Sequence, residues 1–299
     1  MTVSIAIRPA TPADSRACYG VFLAAITDLT ARMNMPWRPD PGDLWTRLGS
    51  TFEYLSGHAA EWWLAEQTAH GRVVGYARSV QRGGLFELSE FFVDPQAQSA
   101  GVGRRLLERA FPANRGTVRV VIATTDVRAL RRYHAAGTFA RFPIAALEGA
   151  PRADAPLDPG LVPVKAGLAD VPALQRIEAA VLDFDRGEEF DWLLTEREAY
   201  IYYRDGAEVA FAFVGPHGLG PIAALEPADM VGVLAHVESW AAGAGRKEIG
   251  FEVPMVNEAA MTHLLARGFR MDPFFTFLLS SRPFGRFDRF IGMSPPFVL

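Results

Sequence analysis

A chain of 299 residues with 49% hydrophobic and 21% charged side chains has the makeup of a folded protein, and at roughly 150 residues per domain its length suits two domains. Thirty basic against 34 acidic side chains leave a formal net charge of -4, which excludes a general basic field for holding nucleic acid or an anionic membrane. The single cysteine, Cys18, excludes an internal disulfide framework and any zinc site built from several thiolates, and fits a reducing, cytoplasmic setting.

In chain order, the N-terminal stretch meets Arg8, Pro9, Asp14 and Arg16 before any long apolar run. No later stretch approaches about 18 uncharged apolar residues, so neither export nor membrane spanning is expected. The pattern predicts a strand at 3–7, then a helix at 13–32 with Asp14 near its cap. Residues 62–66 and 72–80 read as a hairpin turning at His70-Gly71. A third strand at 86–93 leads into a helix at 102–111, and 118–123 reads as a buried strand. Residues 147–161 carry several prolines and glycines among small polar residues and no apolar period, the signature of a linker. The pattern then restarts with a strand at 161–164, a helix at 169–182 behind Asp170, a hairpin of 199–204 and 208–214 turning at Asp205-Gly206, and a strand at 248–253.

The restart is a duplication. Asp126, Ala129, Tyr133 and Gly137 recur as Asn257, Ala260, Leu264 and Gly268 at one constant offset of 131 residues, and Phe139 recurs as Phe269 one residue out of step. Each half runs strand, helices, antiparallel strands, strand-loop-helix, strand-helix, which predicts a mixed sheet flanked by helices, an α/β (α+β) class. The expected organisation is a first domain at 1–147, a linker at 148–160, a second domain at 161–283 and a tail at 284–299. That tail, rich in phenylalanine, would be an apolar patch if exposed, so it is expected to dock on a domain or subunit interface.

The chemistry concentrates at 87–109. Gln98-Ser99-Ala100-Gly101-Val102-Gly103 leads from a strand into an amphipathic helix with Leu106, Leu107 and Ala110 on one face. The first N–H groups of a helix lack intrahelical partners and lie at the positive end of its dipole, while glycines permit close approach of an anion. Arg104 and Arg105 add charge where a diphosphate would lie. A glycine pair also serves an ordinary turn and helix start, so this feature alone leaves both readings open. The six histidines are dispersed without metal-ligand spacing, and no metal is expected.

Gln98-x-x-Gly101-x-Gly103 after one strand, with Asp126-x-x-Ala129-x-x-x-Tyr133-x-x-x-Gly137 after the next, resembles the two acyl-CoA signatures of the GNAT N-acetyltransferases. The resemblance implies acetyl-CoA in a cleft where strands 87–93 and 118–123 splay. Pantetheine would lie on the backbone of Phe91, Phe92 and Val93. The pyrophosphate would lie on Gln98 and on Ser99, Ala100, Gly101, Val102, Gly103 and Arg104, with Asp126 and Ala129 alongside. It further implies that the Phe91 N–H stabilises the oxyanion and that Tyr133 protonates the departing thiolate. For the general base, Glu87 stands at the interval from Gln98 used by histone-type members. Glu90 lies on the opposite face unless a bulge intervenes, and many relatives use a water chain. Asp126 departs from the usual Asn: a carboxylate accepts hydrogen bonds but donates none, and it can cap the helix instead.

The register places Asp229 opposite Gln98, Gly232 opposite Gly101, Leu234 opposite Gly103 and Leu264 opposite Tyr133. An acid at the pyrophosphate position, a lost glycine and a leucine in place of the acid make this copy inactive in expectation. With Gly220-Pro221, Val253-Pro254, Asn257 and Gly268-Phe269, it resembles the degenerate second domain of tandem GNAT proteins. The implied function is acetyl transfer in the first domain, by direct attack of a small-molecule primary amine on acetyl-CoA. The alternative is a non-catalytic acyl-CoA-binding or sensing protein. The partners expected are the amine and a second copy in a homodimer, without nucleic acid or membrane.

Overall fold

The computed structural model describes residues 4–35, 37–98, 101–155, 157–294, 296 and 299; Val3 of the expected first strand lies outside them. The chain has a mixed α/β architecture and divides into two compact units. The first holds the residues up to Gln81 with Leu85–Val121 and Asp126–Thr138, and the second holds Arg82–Gly84, Ile122–Thr125 and Phe139–Leu299.

The first unit runs β1 (Ile5–Pro9), α1 (Ser15–Arg32), α2 (Pro41–Gly57), β2 (Glu61–Gln67), β3 (Arg72–Arg82), β4 (Leu85–Val93), α3 (Val102–Ala110), β5 (Val118–Thr124) and α4 (Val127–Ala135). Its sheet order is β1-β2-β3-β4-β5. β1, β2 and β3 pair antiparallel, whereas β4 and β5 pair in parallel. Asp40 starts α2 by accepting from the N–H groups of Gly42 and Asp43, with Pro41 in the first turn, where a missing N–H costs nothing. An aromatic layer fills one side of the sheet. Tyr19 and Phe22 of α1 meet Phe52 of α2 edge-on at 5.6 and 5.7 Å, and Phe22 meets Phe92 of β4 at 5.2 Å. Trp62 is buried, and Trp63 donates its Nε1–H to Glu61 at 3.0 Å.

The second unit runs β6 (Phe139–Gly149), β7 (Val162–Ala166), α5 (Val171–Leu182), α6 (Glu189–Glu196), β8 (Glu198–Arg204), β9 (Ala207–Gly215), β10 (Gly218–Ala224), α7 (Pro227–Gly243), β11 (Ile249–Pro254), α8 (Glu258–Ala266), β12 (Arg270–Met271), β13 (Thr276–Ser280) and β14 (Phe290–Ile291). One sheet has the order β14-β10-β9-β8-β7. Asp205 and Gly206 at its β8–β9 turn both have positive φ, as a type I′ hairpin requires. β6 pairs antiparallel with β11, β12 and β13, so a strand that precedes the linker in sequence is built into the second unit.

Three features differ from the sequence expectation or sharpen it. β6 runs to Gly149, so strand replaces the first residues of the expected linker. The residues after it are pinned: the Arg152 N–H donates to the buried Glu238 carboxylate at 2.8 Å, which also accepts from Arg267 at 2.9 Å. Residues 284–294 of the tail pack within the second unit. Ile291 and Phe290 pair with Ile222 and Ala223 of β10, and Phe287, Phe290, Ile291 and Met293 are buried. The duplication is visible in detail, since α4 and α8 span corresponding residues at the 131-residue offset. Asp126 and Asn257 cap them by accepting from the N–H groups of Arg128 and Ala260. Gly137 and Gly268 follow them with φ of 81° and 90°, the left-handed closure a glycine allows.

Candidate active site

The parallel ladder between β4 and β5 registers at Leu85–Val118, Phe86–Arg119 and Glu87–Val120, and β4 runs on to Val93 beyond it. β4 is paired with β3 on its other edge, so only its β5-facing backbone groups lie beyond this ladder. Phe91, Phe92 and Val93 all lie in this run and are half-buried. Phe92 turns toward α1, whereas Phe91 meets Tyr133 of α4 edge-on, with ring centroids 6.1 Å apart.

At the far end of the run, Gly101 takes φ of 72° and caps α3, its carbonyl accepting from the Arg105 N–H at 3.2 Å. The amides of Val102, Gly103 and Arg104 therefore occupy the first turn, where a helix offers them no carbonyl. A Cβ on Gly103 would lie 3.1 Å from the Phe91 ring and 3.2 Å from Arg132 Nε, so Phe91 and Arg132 both close on that turn. Arg104 is exposed and stands 3.8 Å from Glu108. Ser99 and Ala100 lie outside the described residues.

Gln98 bridges two elements. Its Nε2 donates to the Val93 carbonyl at 3.2 Å, and its Oε1 accepts from Arg128 Nη1 at 2.8 Å. Arg128 in turn clamps Asp126 at 2.7 Å, and Arg32 reaches the same carboxylate at 3.3 Å. Burial pushes the Asp126 carboxyl up, but the Arg128 side-chain and backbone hydrogen bonds, with the Arg128 charge and Arg32, outweigh it and hold the group down at about 2. Asp126 is thus a cap and an arginine anchor, and Ala129 follows it in the first turn of α4, its N–H on the Asp126 carbonyl at 3.0 Å. Arg128 and Arg132 are the site residues that the sequence reading missed. The available signal was their spacing: one stands two residues after a capping acid, the other next to Tyr133.

Tyr133 is a buried residue whose surroundings act on its hydroxyl through burial, Asp126 and Arg132, with no side-chain hydrogen bond among the described residues. Burial raises its phenol well above the ordinary value, and Asp126 adds to that, so it is a protonated donor at neutral pH. The two candidate bases part company. Glu90 accepts from Tyr76 Oη at 2.7 Å and Arg78 Nε at 2.6 Å in the buried interior, and Arg78 is held in turn by the Phe52 carbonyl and Ser56. Both Glu90 oxygens are committed to this buried network. Glu87 is also buried, within the closed end of the ladder and on the same strand face as Ser89 and Phe91. Four residues of extended chain, about 13 Å, separate it from Phe91. Among the described residues no group of three or more His, Cys, Asp or Glu is placed to hold a metal, and no helix is long and apolar enough to cross a membrane.

The acetyltransferase (GNAT) domain family matches residues 58–139, the stretch that contains β4, α3, β5 and α4. Residues 58–139 are a GNAT N-acetyltransferase domain. No curated protein matches the sequence. Among solved structures, the chain is similar over 97% of its length to 94% of a Pyrococcus horikoshii protein assigned as an acetyltransferase, at 17% identity and a TM-score of 0.71. It is similar over 93% to 96% of an N-acetyltransferase of the same family from Sphaerobacter thermophilus, at 15% identity and 0.61. It is also similar over 94% to 99% of a tandem GNAT protein from the clavulanic acid biosynthesis pathway, at 14% identity and 0.59. The GNAT fold thus extends over both halves.

In the second GNAT-like half the glycine-capped helix start has no counterpart at the same register. α7 already starts at Pro227, so Gly232, in register with Gly101, lies inside a helix instead of at a left-handed cap. The amides around it are spent on the helix's own carbonyls. A Cβ on Gly232 would meet Leu161 at 2.9 Å and Asp158 at 3.3 Å, so the chain before β7 fills the remaining space. Asp229 is paired with Arg204 at 2.7 Å, and Leu264 packs in the apolar core.

Proposed function

We propose that the protein transfers an acetyl group from acetyl-CoA to a small-molecule primary amine, and that the first half performs the chemistry. The observation that carries this reading is the Tyr133 phenol on α4, kept protonated by burial, its ring against Phe91 of the β4 run, with a glycine-capped helix start alongside. The residues present fit acetyl-CoA. The β5-facing backbone of Phe91 and Phe92, past the ladder, suits the amides of pantetheine, and the first-turn amides of α3 with Arg132 beside them suit a diphosphate.

In this reading the Phe91 N–H donates to the oxyanion formed when the amine attacks the thioester carbonyl, Tyr133 gives its proton to the departing sulfur, and the amine binds as its neutral form. Glu87 receives the amine's proton through water, since its distance along the strand is too long for direct contact. The second half contributes no acetyl transfer.

Thermal unfolding with and without acetyl-CoA tests this, on the wild type and on a Gly101→Glu, Gly103→Glu double variant. At about 100-fold over its dissociation constant the ligand stabilises by roughly 2.7 kcal/mol, a shift of a few degrees. The shift is expected in the wild type and not in the variant. No shift in the wild type at saturating coenzyme refutes the reading; where the shift is seen, a panel of free amines against peptides assigns the acceptor class.

A further inference from the structure

In the first unit, the run of β4 past its ladder is the place given to the coenzyme. The equivalents in the second unit, 131 residues on, are β10 and β11, and a strand of protein lies between them. β14 pairs with β10 at Ile222–Ile291 and Ala223–Phe290, and Gly292 bridges to Glu252 of β11. The Gly292 N–H donates to the Glu252 carbonyl at 3.1 Å and the Ser294 N–H to the Leu219 carbonyl at 2.9 Å. Asn257, at the register of Asp126, donates its Nδ2 to the Phe290 carbonyl at 3.2 Å, and Arg197 Nη2 donates to the Ser294 carbonyl at 2.9 Å.

The fit is close enough to dictate residue types. A Cβ on Gly218 would collide with the Ser294 carbonyl, and one on Gly220 with the Gly292 carbonyl. Phe287, Phe290, Ile291 and Met293 are each at most 4% exposed.

We propose that the cleft of the second half is a peptide-binding site of the strand-addition type, and that residues 284–294 of the same chain are its resident ligand, standing where the first half would hold pantetheine. The comparison of positions rests on the acetyl-CoA reading of the first half; the strand pairing does not. β10 and β11 give the tail the main-chain hydrogen bonds and apolar pockets by which a sheet recognises an extended apolar peptide. The cleft is therefore closed to coenzyme while the tail is seated.

Hydrogen exchange on the intact chain tests this. The amides of Gly292 and Ser294 are expected to exchange as slowly as those of β10, and to stay protected when acetyl-CoA is added to saturation. Gly218→Val pushes directly on Ser294, at a position without positive φ. It is expected to lower protection across 284–294 by about 100-fold and to open Arg286 and Arg289 to trypsin, with the first unit's amides unchanged. Gly250→Ala, where a Cβ would find only ordinary contacts at 3.5 Å and beyond, is the control and should leave the tail protected. Fast exchange at Gly292 and Ser294 in the wild type overturns the proposal whether or not the variant folds, as does loss of their protection on adding coenzyme. If acetyl-CoA binds nowhere, the transferase reading fails, while tail protection measured without coenzyme still decides this one.

Discussion

Replacing Tyr133 with phenylalanine removes one oxygen, and the structure sets what that should do. No side-chain hydrogen bond acts on the hydroxyl among the described residues, so its loss orphans no partner there, and stability should stay within about 0.5 kcal/mol of wild type. The edge contact with Phe91 at 6.1 Å belongs to the ring and survives, so coenzyme affinity should be unchanged. General acid catalysis is worth about 10²–10⁴-fold. Because burial lifts the phenol above its ordinary value, and a thiol ordinarily ionises near 8.5, full transfer of the proton to sulfur is uphill. The lower half of that range is then the expectation: a drop in kcat of about 10²–10³-fold, or about 2.7–4 kcal/mol at 1.36 kcal/mol per decade. The assay is steady-state release of free thiol with a responsive amine, alongside coenzyme titration by calorimetry. A kcat within about threefold of wild type, at unchanged affinity, would refute the assignment of Tyr133 as the acid.

Glu90→Ala should destabilise by about 3–5 kcal/mol in denaturant unfolding, because it strips the buried Arg78 of its counter-charge; a loss of activity without loss of stability would instead return Glu90 to the chemistry. Gly103→Ala places a methyl against the ends of the Phe91 and Arg132 side chains, which can shift. Stability should therefore change by less than about 1 kcal/mol, while calorimetry should show acetyl-CoA binding weakened about tenfold, a cost of about 1.4 kcal/mol. Glu252 is held up at about 7 by burial and then by Glu148 and Asp272. Its folded value lies above the unfolded one, so its favourable contribution is complete below about pH 4.5 and is lost as pH rises to about 7. Glu252→Gln should match the wild type near pH 4 and exceed it above pH 7 by up to about 3 kcal/mol, read from unfolding midpoints across that range.

What was legible in the sequence was local. The β2–β3 and β8–β9 hairpins, the α3 start at Gly101 and the paired helices α4 and α8 each carry their signal within a few residues: a turn dipeptide, a glycine, a capping acid or amide. The same is true of the glycine-capped turn in the first half and of the helix that replaces it in the second. The role of Glu90 was not legible, because Tyr76 and Arg78 sit on the neighbouring strand and alternation alone cannot say which buried acid faces a buried arginine. Nor was the seat of the tail. Its aromatic makeup said that it must be covered, but which cleft covers it depends on glycines at 218 and 220 and on a strand separation that only the assembled sheet defines. Arg128 looked like one surface arginine among many until Gln98 and Asp126 converged on it from two other segments.

The placement of β6 bears on how the chain reaches this structure at all. Its partners are β11, β12 and β13, and 100 residues of chain separate Gly149 from its partner Ile249. During synthesis at about 5–20 residues per second, β6 is therefore made some 5–20 s before the first of those partners. In that interval its edges are unpaired, and such edges are where chains join wrongly to one another. Contacts this distant in sequence also slow closure of the second unit relative to the first, whose β2–β3 hairpin is local. A nascent chain paused before residue 249 should be the aggregation-prone species. A break at the linker would leave β6 on one fragment and its partners on the other.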